Sequence, residues 1–230
     1  MTVSKKKRES QPWFRRLYLP AYRLSDAARY AEAHPNTVAS WHYRGTPVLP
    51  GHERGKPLSY LQLIEVAFVS FFRRMGVKMG RIREARDYVA QIFAAEFPFA
   101  EYTFKTEGMH VLMEFNEFTP DSAFDQVIVA DSDGQLAWES MLDDKFALFD
   151  YEYEIALRWH PAGRDSKVIV DPRISFGAPT VDGLPTWAIK GRHLAGESIK
   201  EIMEDFDIAE KAIFDALKFE KVELDELAAA

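Results

Sequence analysis

The chain has 230 residues, 47% of them hydrophobic, no cysteine, and a formal net charge of −7 at pH 7. That length suits one large domain or two to three small ones with ordinary cores, and the missing thiols exclude disulfides, cysteine nucleophiles and cysteine-ligated metal sites. No apolar run approaches the ~18 residues of a membrane span and the N-terminus lacks the apolar stretch of a signal peptide, so a cytoplasmic protein with no membrane partner is expected. The net charge conceals a division: residues 1–95 hold 17 Lys and Arg against 7 Asp and Glu, the remainder 12 against 29. Such asymmetry points to a basic part that meets a polyanion and an acidic part that does not.

In chain order, residues 1–17 read as a flexible basic arm, because Lys5, Lys6, Lys7, Arg8, Arg15 and Arg16 dominate until Trp13, Phe14 and Leu17. A compact segment over 18–95 follows. Leu24, Ala27, Ala28 and Ala31 fall on one face of a short helix, His34-Pro35 stops it, and Asn36 or Thr37 can cap a second helix through Tyr43. Three residues between two helices is helix-turn-helix spacing. Residues 44–57 carry Gly45, Pro47, Pro50, Gly51, Gly55 and Pro57 together with Arg44, Arg54 and Lys56; a small β-ribbon, a wing, fits. Leu61, Ile64, Glu65, Phe68, Phe72 and Met75 then give a 3.6-residue period, interrupted at Gly76 and Gly80 and resumed from Ile82 to Phe93.

Residues 96–166 read as a β-rich segment with hairpins at 100–105 with 110–115 and at 127–130 with 135–138, and strands at 153–159 and 167–170 complete a small antiparallel sheet. Residues 167–230 close with three helices at 187–194, 198–206 and 208–222, the middle one opened by a Ser198-x-x-Glu201 capping box. The fold class expected is α+β: a winged helix-turn-helix, a central sheet and a C-terminal three-helix unit.

A helix laid in the major groove sets three or four side chains against base edges while its partner braces on the backbone. Asn36, Thr37, Ser40 and His42 are the polar candidates on the second helix, with Val38 and Trp41 facing the core. Arg44, Arg54 and Lys56 on the wing, Arg23 before the first helix, and Arg15 and Arg16 on the arm are placed for phosphates. Arg73, Arg74, Arg81, Arg83 and Arg86 read as a solvated helix face. Chemistry of other kinds has little to stand on. The six histidines lack metal-ligand spacing, Asp131-x-Asp133-Gly134 is a hairpin turn without the glutamate that closes a calcium loop, and Asp143 and Asp144 sit in the acidic part without a nucleophile motif. No catalytic residue, metal or cofactor is expected.

Two stretches resemble known families. Tyr22 to Tyr30 followed by His34 to Trp41, with Arg54 and then Leu58-Ser59-Tyr60 after the wing, resembles the MerR-like winged helix-turn-helix domains over residues 18–95. The resemblance implies binding to double-stranded operator DNA as a homodimer; the cysteines of the metal-sensing members are missing. Val168 to Gly183, with its G-x-P-x-V-x-G run from Gly177, then Leu194 to Ile202 and Ala212 to Leu217, resembles a small bacterial antitoxin domain long catalogued as of unknown function and similar to VapB-type antitoxins. That resemblance implies a PIN-like ribonuclease toxin as partner and repression of the chain's own promoter.

The function expected is therefore an antitoxin that also acts as a transcriptional autoregulator, its acidic part complementing a basic nuclease. The alternative is a MerR-like ligand-responsive regulator without a toxin partner, in which the aromatics of residues 97–160 line a small-molecule pocket.

Overall fold

The computed structural model describes residues 3–49, 51–101, 104–105, 140 and 142–223. They divide into two units, the first from residues 1–147 and 151–156, the second from 148–150 and 157–230. Helices and one five-stranded sheet are both present, so the class is α+β. The strands expected at 110–115, 127–130 and 135–138 lie outside the described residues. Among the described residues of 100–105 no strand forms: Pro98–Ala100 is a 3-10 turn, Phe104 and Lys105 are helical, and Glu101 makes an isolated bridge with Ile155.

In the first unit the expected flexible arm is instead built into the structure. Helix α1 (Val3–Glu9) is followed by a 3-10 turn (Phe14–Leu17) whose last residue, Leu17, is fully buried. Arg8 is buried too, and its two terminal nitrogens reach the two carboxylate oxygens of Glu101 at 3.1 and 3.3 Å. The fork geometry of guanidinium on carboxylate fixes the segment where composition suggests a solvated tail.

Helices α2 (Leu24–Tyr30) and α3 (Pro35–Tyr43) form the short pair, with Ala27, Ala28, Val38 and Trp41 buried between them and α4 (Tyr60–Arg74). His34, rather than Asn36 or Thr37, caps α3: its Nδ1 accepts the Asn36 amide at 3.2 Å, with Pro35 in the first turn. Helix α4 carries a full capping box from Ser59 and Gln62 and is buried on nearly every side, as a central helix that is apolar all round must be. Gly76, at φ +86°, ends the segment, and α5 (Met79–Phe93) starts before Gly80, which does not break it.

Glu65 and Arg86 correct the reading of both helices. The Glu65 carboxylate lies 2.8 Å from Nε of Arg86 and accepts the Phe99 amide at 2.9 Å, all three groups being buried. Burial pushes the Glu65 carboxyl above its ordinary range, while Arg86 and the Phe99 amide pull it back. An arginine expected on a solvated face is thus an internal staple.

The sheet runs β1 (Phe149–Glu152), β2 (Ile155–Trp159), β3 (Ile169–Val170), β4 (Pro179–Val181) and β5 (Leu184–Pro185) in sequential order, with β2–β3, β3–β4 and β4–β5 antiparallel. Asp182 and Gly183, both at positive φ, make the two-residue turn between β4 and β5. In the second unit α6 (Thr186–Leu194), α7 (Ile199–Phe206) and α8 (Glu210–Phe219) follow. Their apolar faces meet Val168 and Val181 in one core with Ile189, Ile202, Ile213 and Leu217, all fully buried. Before β4, the buried Asp171 accepts the Arg173 backbone amide, its Nε and its Nη2 at 2.7–3.0 Å, so the carboxylate is compensated within two residues.

Candidate nucleic-acid interface

Among the described residues of 44–57 no β-ribbon forms. The backbone amides of Val48 and Leu49 both turn back to the Trp41 carbonyl, at 3.0 and 3.1 Å, and bury both side chains. Leu58 then pairs with Tyr22 in a single isolated bridge. Prolines at 47 and 57 have no amide to give a ladder, and so the loop is fastened to α3 by side chains. The Tyr43 hydroxyl contacts Nδ1 of His52 at 2.5 Å, and Nε2 of His52 donates to the Lys56 carbonyl at 2.8 Å. Arg54 sits over the Tyr43 ring at 5.7 Å, next to Gly55, whose φ of +84° makes the tip.

His42, expected to face DNA, points the other way. It is 4% exposed, its Nδ1 is bonded to the Leu49 carbonyl at 2.9 Å, and its ring lies 4.8 Å from that of His52. Burial, with His52 adding to it, lowers its pKa to about 4. A neutral, buried imidazole that holds the loop is its role in the structure, not a base contact. The period explains this: His42 is the fourth residue after Val38, and the two share a face.

The other candidates lie at the surface. Asn36 and Thr37 are exposed, Ser40 is half-buried and bonded to the Thr37 carbonyl at 2.7 Å, and Arg44, the residue that ends α3, is exposed. Arg54 is exposed, and so is Lys56, which pairs with Glu53 at 2.5 Å. Arg15 and Arg16 are exposed on the 3-10 turn, and Arg23 is exposed at the N-cap of α2. Thr37, Ser40 and Arg44 are brought together in one concavity of about 460 Å³, whose wall is completed by Trp41, Val48, Arg73, Lys78, Met79 and Arg83. Three of those cations belong to the α4–α5 turn and were not expected at a site. A sequence signal exists for two: neither Arg73 nor Lys78 has a carboxylate three or four positions away, whereas Arg81 has Glu84 and pairs with it at 2.5 Å.

Among the described residues no helix is long and apolar enough to cross a membrane, and no cluster of three His, Asp or Glu stands ready for a metal ion.

The family described as "Protein of unknown function (DUF433)" matches residues 168–219, the segment from the residue before β3 to the end of α8. A protein of Mycobacterium tuberculosis (strain ATCC 25618 / H37Rv), named as candidate antitoxin VapB45, is 25% identical over 227 residues, an alignment spanning 88% of this chain and 94% of that one. Among solved structures, the X-ray crystal structure of Rv2018 from Mycobacterium tuberculosis superposes with a TM-score of 0.69 at 25% identity, covering 86% of this chain and 98% of its own. The likeness therefore extends far beyond the 168–219 segment.

Proposed function

We propose that the chain is the antitoxin of a type II toxin–antitoxin pair, a cytoplasmic homodimer that neutralises a PIN-like ribonuclease and represses its own promoter. The observation that carries the reading is the likeness, over 88% of the chain, to a protein named as candidate antitoxin VapB45. In this reading the first unit acts as a MerR-like DNA-binding domain, with Asn36, Thr37 and Ser40 on α3 meeting the groove. Arg44, Arg54 and Lys56, together with Arg15, Arg16 and Arg23, meet phosphates. The acidic residues after position 95, 29 against 12 basic ones, supply the charge complementarity a basic nuclease asks for.

Co-expression with the product of the neighbouring gene, with a tag on one partner, tests the reading. Co-purification of a ribonuclease whose activity is silenced supports it. Clean isolation of this chain, still bound to its own promoter and shifted in melting temperature by a small molecule, replaces it with the ligand-responsive regulator.

A further inference from the structure

The concavity beside α3 is unusual for how its charges are left. Four of its nine lining residues are cations, Arg44, Arg73, Lys78 and Arg83, and none is a carboxylate. Their neighbours are compensated: Arg74 pairs with Glu32, Arg81 with Glu84 and Arg86 with Glu65. Arg44, Lys78 and Arg83 form no side-chain hydrogen bond or ion pair among the described residues, and Nε of Arg83 is buried without a partner. Arg73 spends Nη1 on the Val77 carbonyl at 2.6 Å, which holds the turn that aims Lys78 and Met79 at the same space.

The backbone adds to this charge. Helix α5 is 15 residues long and begins at the pocket with Lys78 as its N-cap; no side chain caps it and no acid occupies its first turn. Its first amides are left without helical partners and carry the positive end of the helix dipole. Gly80 in that turn has open space where a Cβ would stand, so an anion can approach the main chain. Thr37 and Ser40 line the same space from α3, the Ser40 hydroxyl being already given to the Thr37 carbonyl at 2.7 Å.

We propose that this pocket is a seat for a phosphate group, held by Arg44, Lys78 and Arg83, by the open amides of α5 and by the Thr37 hydroxyl. Convergent uncompensated cations at a helix N-terminus match a tetrahedral dianion or phosphodiester in both charge and donor geometry. Two sources share that chemistry. One is a backbone phosphate of the DNA, which rests on the function proposed above and fixes α3 in register; the other is the phosphate of a soluble phosphomonoester.

The test uses the full chain and a Lys78→Gln/Arg83→Gln double variant, both groups being at or near the surface, with circular dichroism to confirm folding. Inorganic phosphate, against chloride at matched ionic strength, is expected to raise the melting temperature and to move the Met79 and Gly80 amide resonances. The double variant is expected to lose affinity by about tenfold or more. In parallel, binding to the chain's own promoter is followed against salt, where removal of a phosphate contact lowers the slope of log K against log salt by about 1. Phosphate binding with a lowered slope assigns the seat to the DNA backbone. Phosphate binding with DNA affinity and slope unchanged assigns it to a soluble phosphomonoester. Phosphate binding in a chain that binds no DNA sustains the pocket while the proposed function falls. No phosphate-specific shift together with an unchanged slope overturns the proposal.

Discussion

The Tyr43 hydroxyl lies 2.5 Å from Nδ1 of His52, and the other ring nitrogen of that histidine bonds the Lys56 carbonyl. One imidazole thereby joins the last helical residue of α3 to the far end of a loop whose described residues form no strand ladder. The pattern assigns His52 the tautomer with its proton on Nε2. Tyr43→Phe removes the first link. Expected outcomes are a stability loss of about 1 kcal/mol and faster hydrogen exchange at residues 51–56. Unchanged exchange in that loop would show that backbone packing alone holds it.

His42 gives the first unit an acid-sensitive point. Its folded pKa of about 4 lies below the ordinary 6.5, so between those values the unfolded chain takes up a proton that the folded chain refuses. Stability then falls as pH drops from 6.5 towards 4, by up to about 1.4 kcal/mol per pH unit from this group, and the penalty is complete below 4. His42→Gln is expected to flatten that slope in urea unfolding followed across pH 4 to 7. A slope identical to that of the parent chain sinks the assignment.

Arg54 is held over the Tyr43 ring at the loop tip and has no carboxylate bound among the described residues. Arg54→Ala is expected to weaken promoter binding across sequences and to lower the salt slope by about 1, with any partner complex unaffected. Fluorescence anisotropy at several salt concentrations measures this; equal affinity and slope remove the loop from the interface.

Breaking the Glu65–Arg86 pair from one side leaves a buried charge without its partner. Arg86→Met is expected to cost about 3–5 kcal/mol, and the double change with Glu65→Met to recover much of it. Equilibrium urea unfolding of the parent chain and the two variants decides. A single-variant loss under about 1 kcal/mol would mean water compensates the carboxylate.

In the second unit Ser198 accepts the Glu201 amide at 3.3 Å while Glu201 accepts the Ser198 amide at 2.8 Å. Ser198→Ala is expected to lower stability by about 1 kcal/mol through loss of the cap, read as a drop in melting temperature. Ser198→Asp, which keeps an acceptor there, is expected to recover most of it.

Local signals in the sequence were sufficient where one element decided its own form. The capping box at Ser198, the apolar period of α4 and the burial of Val38 and Trp41 all follow from spacing within a few residues. What the chain order could not express is which side chains meet across long separations. Arg8 with Glu101 turned an expected arm into structure, Arg86 with Glu65 turned a solvated face into a core, and His42 went inward because Leu49 folds back over it. The pocket was hidden for the same reason. Arg44 and Arg83 are 39 positions apart, and only the packing of α3 against the α4–α5 turn makes them neighbours while Arg74, Arg81 and Arg86 each find a carboxylate. Charge counts along a chain register how many cations there are; the tertiary fold decides which of them are left uncompensated, because compensation depends on distance in space.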